Sequence, residues 1–229
     1  MDSIHLSPRL EAVASFVPSG ARLADIGSDH AYLPAHLLLN HKITYAIAGE
    51  VAQGPYENAQ QEIIRRNLSN YLEARLANGL AAIYEEDKIN TVTIAGMGGM
   101  LIKDILDAGL INGQHFETMV LQPNTDEYIV REWLTKNNYQ ITNEVIKRED
   151  NHFYEVLLAT PGHQSLTEID LKFGPFLHQD KTEIFIAKWQ KELKRIDLIF
   201  KNLESAGKKG TTVYQEWQRK YQEIQEVIQ

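Results

Sequence analysis

Asp25-Ile26-Gly27-Ser28-Asp29-His30-Ala31-Tyr32 follows an apolar run, Leu23 to Ile26, and leads into a stretch rich in Leu and Ala. A short apolar run that ends in a glycine turn and passes directly into helical spacing opens a βα unit. The alternation continues outward from it. Ala31 to Asn40 reads as the first unit's helix, Ile43 to Ala48 as a second strand, and Tyr56 to Asn67 as the helix behind it. Tyr71 to Leu76 is a third strand. Thr91 to Ala95 is a fourth, with a helix over Gly99 to Ala108, and Thr118 to Leu121 a fifth, with a helix over Glu127 to Lys136. Tyr139 to Lys147 and Phe153 to Ala159 have no helix between them, so they are expected to finish the sheet as an antiparallel pair. Strands alternating with helices imply an α/β fold with parallel neighbours and right-handed crossovers. Upstream, Ser7-Pro8 supplies an N-cap and a first-turn proline for a helix whose apolar positions are Leu10, Val13, Ala14 and Val17.

The pattern changes after Pro161-Gly162, which divides the chain into an expected domain over 1–164 and a second over 165–229. Ile184, Phe185, Trp189, Leu193, Ile196, Phe200 and Leu203 step by three and four, or sit one apart. After the turn Gly207-Lys208-Lys209-Gly210, the stepping resumes at Tyr214, Trp217, Tyr221, Ile224 and Ile228. Two amphipathic helices joined by a glycine turn predict an antiparallel helical hairpin of coiled-coil type, its stripes packed together.

Composition narrows the chemistry. The chain has no cysteine, which removes disulfides, thiolate zinc sites and cysteine nucleophiles together. Its 8 histidines show no ligand spacing, so no metal is expected. No apolar stretch approaches the roughly 18 residues of a membrane span. The beginning of the chain lacks a secretory pattern, and a cytoplasmic location is expected. A net charge of −8 argues against charge-driven, non-specific nucleic-acid binding, but the charge is uneven. Over residues 1–164, 12 Lys and Arg face 21 Asp and Glu; over 165–229, 11 face 10. Lys188, Lys191, Lys194, Arg195 and Lys201 carry most of that local excess, together with Lys208 and Lys209. A solvated helix face accounts for them as simply as a phosphate-contacting surface does.

Ligands of a doubly wound sheet bind at the carboxyl ends of the strands. A dinucleotide turn wants three glycines so that a pyrophosphate can approach the helix. Here Gly27 stands alone between Asp25 and Asp29, and carboxylates on both sides repel phosphate. A ligand with a cationic end and no phosphates, such as a sulfonium bearing an amino-acid tail, suits the turn better. Glu50, with Val51 beyond it, ends the second strand, where an acid accepts the two hydroxyls of a ribose. A plainer account makes Asp29 a helix N-cap and Glu50 a surface charge. Asn78-Gly79 after the third strand offers an amide for an adenine amino group, or an ordinary turn. Ala95-Gly96-Met97-Gly98-Gly99 after the fourth implies close approach of a ligand or backbone. The Asn/Asp-Pro-Pro-aromatic motif often found there in enzymes that methylate exocyclic amines is absent, as a ring-nitrogen target would allow. Asn124 or Thr125 is expected to cap the next helix, and His152, Phe153 and Tyr154 to line a base pocket.

Taken in order, these residues resemble the bacterial tRNA (adenine-N1)-methyltransferase family that modifies adenine 22 of certain tRNAs. Leu6-Ser7-Pro8-Arg9-Leu10, the Asp25 to Pro34 block, Gly54-Pro55, Ala95 to Gly99, Leu121-Gln122-Pro123-Asn124 and Tyr154-Glu155 carry the likeness. The resemblance implies a seven-stranded, Rossmann-like class I methyltransferase sheet with a C-terminal coiled-coil hairpin. It also implies S-adenosylmethionine as cofactor and tRNA as substrate. On that reading Asp25, Gly27, Asp29, His30, Glu50, Val51, Asn78, Gly79, Ala95, Gly96 and Met97 hold the cofactor. Asp29, then His30 and Tyr32, orient the reacting groups. Arg9 and the hairpin cations hold the RNA. Glu50 stands where Asp is expected and Asn78 where an acid is expected, which implies altered affinity and retained activity. A monomer is expected, with a dimer through the hairpin left open.

Overall fold

The structure, a computed structural model, describes residues 2–229. Its sheet is built from β1 (Ala21–Ile26), β2 (Ile43–Glu50), β3 (Leu72–Leu76), β4 (Thr91–Gly98), β5 (Thr118–Thr125), β6 (Tyr139–Glu149) and β7 (His152–Pro161). The order is β3-β2-β1-β4-β5-β7-β6. β1 to β5 pair in parallel, and β7 runs antiparallel to both β5 and β6. The antiparallel finish follows from the short connection between β6 and β7, which leaves no room for a crossover helix.

Near-continuous burial along β1, the first half of β4 and most of β5 is what central parallel strands covered on both faces require. Leu23, Val92, Ile94, Val120 and Leu121 are all fully buried there. Helices α1 (Pro8–Phe16), α2 (Tyr32–Leu39), α3 (Gln53–Arg65), α4 (Gly99–Ile111) and α5 (Glu127–Lys136) accompany the sheet. α1 begins as its sequence predicts, with Ser7 Oγ accepting the Leu10 N–H and Pro8 in the first turn. Its Ala12, Val13 and Ala14 join the core shared with Leu33 and Leu37 of α2.

The chain divides into two compact units, the first ending at Pro175 and the second running from Phe176 to Gln229. The first therefore extends past the boundary expected at residue 164. Its extra segment holds α6 (Glu168–Phe173), whose Leu171 carbonyl accepts Arg131 Nη1 at 3.1 Å. The second unit contains α7 (Leu177–Asp180), α8 (Glu183–Ser205) and α9 (Thr212–Ile228). Tyr214 Oη donates to Glu204 at 2.7 Å and Lys220 Nζ to Glu192 at 2.7 Å, so α8 and α9 run antiparallel. Phe200 packs on Tyr214 and Tyr221, with ring centroids 5.0 and 5.8 Å apart.

Strand order reverses between β1 and β4. The crevice at their carboxyl ends is the switch point where open α/β sheets bind ligands.

Candidate cofactor and substrate cleft

Asp25 is the penultimate residue of β1, in register with Ala48 of β2 and Thr93 of β4. That register buries its carboxylate and aims Thr93 at it. Thr93 Oγ1 donates to Oδ1 at 2.6 Å and Ser28 Oγ to Oδ2 at 2.5 Å. Burial pushes the Asp25 carboxyl above its ordinary range, and the two hydroxyls oppose that rise only in part.

Beyond β1 the backbone enters conformations that side chains resist. Gly27 has φ +72° and donates its N–H to the Gly49 carbonyl at 2.8 Å. The Met97 methyl occupies the space a β-carbon at position 27 would take, so glycine is required on both counts. Asp29 and Ala31 follow in the left-handed region, at φ 60° and 55°. Each such residue costs about 1–3 kcal/mol and persists only where its surroundings dictate it. Here the Glu50 carboxylate accepts the Asp29 N–H, and the Ser28 carbonyl accepts the Ala31 N–H. The plainer account of both acids fails. Ala31 is the residue at the N-cap of α2, and Glu50 is only 5% exposed. Burial lifts the Glu50 carboxyl above its ordinary range; the Asp29 N–H opposes this, and the charges of Asp25 and Asp29 add to it.

A cleft of about 200 Å³ opens above this turn. It is lined by Asp25, Gly27, Ser28, Asp29, His30, Tyr32 and Leu33 of the β1–α2 segment, by Arg9 and Leu10 of α1, and by Ala95 and Gly96 of β4. The His30 and Tyr32 rings stack, 4.9 Å apart and 10° from parallel. The Asp29 side chain is two-thirds exposed, 3.8 Å from His30 Nε2. The predicted residues thus come together from three separate segments. Glu50 adjoins the cleft through Asp29, and Met97 reaches Gly27 from β4. Ala77 N–H donates to the Glu50 carbonyl at 2.7 Å, which carries Asn78 and Gly79 past the end of β3 on the Glu50 side. Val51 is 72% exposed and, like Asn78, outside the cleft lining.

Asn124 and Thr125 do not cap α5. Its N-cap is Asp126, itself left-handed at φ 60°, while Asn124 Nδ2 donates to the Gly96 carbonyl at 2.7 Å. Two site residues escaped the sequence reading: Thr93, which holds Asp25, and Gln122, fully buried behind Gly96. A polar residue inside an apolar strand was the available signal for each. Of the hairpin cations, Arg195 is committed to Glu192, with bonds of 2.7 and 2.8 Å, and lies over the Trp217 ring. The pairing with Arg195 is the largest of the causes that bring the Glu192 carboxyl down to about 2. Lys194 and Lys201 are exposed along α8 with Lys191. Lys188 lies over Trp189, 5.2 Å from its centroid. Among the described residues no cluster of His, Asp or Glu is suited to a metal ion, and no helix is long and apolar enough to cross a membrane.

The family model described as TrmK, tRNA (adenine(22)-N(1))-methyltransferase, matches residues 23–229. The tRNA (adenine(22)-N(1))-methyltransferase of Bacillus subtilis is 40% identical over 212 residues, covering 90% of this chain and 89% of the relative. A Streptococcus agalactiae crystal structure, described as a protein of the NADB-Rossmann superfamily, superposes with TM-score 0.93 at 44% identity. It covers 100% of this chain and 99% of the other. A Streptococcus pneumoniae structure in complex with S-adenosyl-L-methionine gives TM-score 0.90 at 43% identity, covering 98% of this chain and all of the other. Sequence match, sheet order and the acid-lined turn at the switch point agree, and the chain belongs to the tRNA (adenine(22)-N(1))-methyltransferase family.

Proposed function

We propose that this protein transfers the methyl group of S-adenosylmethionine to N1 of adenine 22 in tRNA. The observation that carries the reading is a cleft at the β1/β4 switch point lined by carboxylates in place of a phosphate cradle, in a chain of this family. Two buried carboxylates already raised by burial favour a cationic ligand that relieves them. The S. pneumoniae relative holds S-adenosyl-L-methionine. In this chain Glu50 would take the ribose hydroxyls, Asp25 and Asp29 the amino-acid end, and Gly27 the close backbone approach. Bound there, the cofactor supplies an electrophilic methyl group on sulfur.

The target's N1 carries an available lone pair, so no base has to remove a proton before attack. What the protein must supply is alignment of two ligands and a negative field where the ring becomes cationic. Asp29 has its carboxylate open to the cleft and supplies that field. The stacked His30–Tyr32 pair offers a flat, half-buried surface beside it. N1 lies on the Watson–Crick edge, so the adenine must be unpaired or flipped to enter. Exposed lysines of α8 hold the tRNA body by its phosphates, and the enzyme works as a monomer in the cytoplasm, where its substrate is.

The test is methyl incorporation from labelled S-adenosylmethionine into unmodified bacterial tRNA, with the product nucleoside identified after digestion. Labelled N1-methyladenine that disappears when adenine 22 is replaced establishes reaction and position together. Cofactor binding without label in any tRNA would point to a small-molecule acceptor.

A further inference from the structure

The buried apolar run of β5 is broken at Gln122, whose amide is fully buried. Such a group is costly unless every donor and acceptor finds a partner, and this one does. Oε1 accepts from the Gly96 N–H at 3.0 Å and from Arg9 Nη1 at 2.6 Å. Nε2 donates to the Pro123 carbonyl at 2.9 Å and to Asn124 Oδ1 at 3.0 Å. Arginine has donors only, so the amide cannot be turned round without facing donor to donor. Its orientation is dictated, and with it the place of Arg9.

Arg9 is fixed from other sides too. Its backbone N–H donates to Glu149 at 3.3 Å, and its guanidinium lies 5.5 Å from the Tyr154 ring centroid. Nη1 passes over Gly96, 3.4 Å from where a β-carbon would sit. Nη1 is committed to Gln122, so Arg9 does not offer a phosphate its whole bidentate fork. This guanidinium is a half-buried plane in the cleft lining, backed by an aromatic ring and with its charge set against the Asp25 and Asp29 carboxylates of the same cleft, and such planes stack unpaired bases.

We propose that Arg9 is a planar wall against which the target adenine stacks, and that Gln122 is the residue that positions it. The inference rests on the tRNA-adenine reading above. Arg9→Lys tests it, because lysine keeps the charge and loses the plane. Wild type, Arg9→Lys, Arg9→Ala, Gln122→Met and the Gln122→Met/Arg9→Ala double variant are compared for kcat/KM on tRNA, S-adenosylmethionine Kd and Tm. Arg9→Lys is expected to lose at least about tenfold in kcat/KM, close to Arg9→Ala, with cofactor Kd within about twofold. Gln122→Met is expected to lose about fivefold or more alone and almost nothing further in the Arg9→Ala background, since the two residues act as one unit. Wild-type kcat/KM in Arg9→Lys would show that charge suffices and overturn the wall. Independent, multiplying losses would overturn the positioning role. A wild type that methylates no tRNA would bring down the parent reading and this one together, whereas an active wild type leaves only this one at stake.

Discussion

Glu50 sits in a conflict that only a ligand resolves. Its carboxyl is buried beside Asp25 and Asp29, and its raised proton affinity in the folded chain means that ionisation costs stability. The same sign holds for Asp25. The penalty is absent below the ordinary carboxylate values of 4.5 and 3.8 and is felt in full once pH rises through the raised values. A cation in the cleft lowers those values again, so its binding releases protons and strengthens as pH rises. The Tm increase produced by saturating S-adenosylmethionine should therefore grow as pH rises above the ordinary carboxylate range, as differential scanning fluorimetry would show. Glu50→Gln should raise the Tm of the cofactor-free protein, because it removes the repulsion. It should also weaken cofactor Kd at least about tenfold by calorimetry, because it removes a charged acceptor. A mutation that stabilises the protein while disabling the site is the mark of a carboxylate kept for binding.

Asp29 calls for a matched pair of substitutions. Alanine removes the carboxylate but also tolerates φ 60° poorly, whereas asparagine accepts the left-handed region nearly as well as Asp. Asp29→Ala should abolish turnover and lower stability by about 1 kcal/mol. Asp29→Asn should keep wild-type stability in urea and still lose at least about tenfold in kcat if the negative field is what matters. An Asn variant with wild-type kcat would remove Asp29 from the chemistry.

At the scale of elements, Arg131 of α5 holds the far end of the sheet together. Its Nε donates to Glu144 of β6 at 2.8 Å, its Nη2 pairs with Glu155 of β7, and its Nη1 reaches Leu171 of α6. All three charged side chains are buried, and a β-carbon at Gly174 would meet Glu144 Oε2 at 2.7 Å. Arg131→Leu strips two buried carboxylates of the cation between them. It should cost about 3–5 kcal/mol in urea denaturation, much more than the loss of a surface ion pair. This junction also shows what one chain read alone leaves hidden. The strands and long helices were legible because hydrophobic period and turn residues are local. Asp25, Gly27, Asp29, His30 and Tyr32 were legible because they lie within one contiguous turn. A polar residue in an apolar strand marks Thr93 and Gln122 locally, but what each one faces is set by strand register, which no local pattern states. β4 runs on to Gly98 because Met97 and Gly98 pair across irregular register with Pro123 and Thr125 of β5. α6 carries a Thr167–Asp170 capping box, but it is too short for a periodic stripe, and so a boundary read from periodicity falls ahead of it.

For the whole molecule, the difficulty is that a protein of net charge −8 must bind a polyanion. Long-range attraction cannot do it, so binding has to come from a local concentration of cations. The second unit is where the balance turns, but not every cation there is available. Arg195 and Lys220 are spent on Glu192, and Lys209 on Glu204. Lys194 and Lys201 share an exposed face of α8 with Lys191 at helical spacing. Charge reversal of Lys194 and Lys201 to Glu should therefore weaken tRNA binding without changing cofactor Kd or Tm. The slope of log affinity against log salt should fall by about 2, one for each phosphate left without its lysine. Reversing Arg195 instead should cost stability through Glu192 and Trp217 and leave the salt slope nearly unchanged. If the Lys194 and Lys201 variant kept the wild-type slope, these two lysines would contact no phosphate and would be part of a solvated helix face.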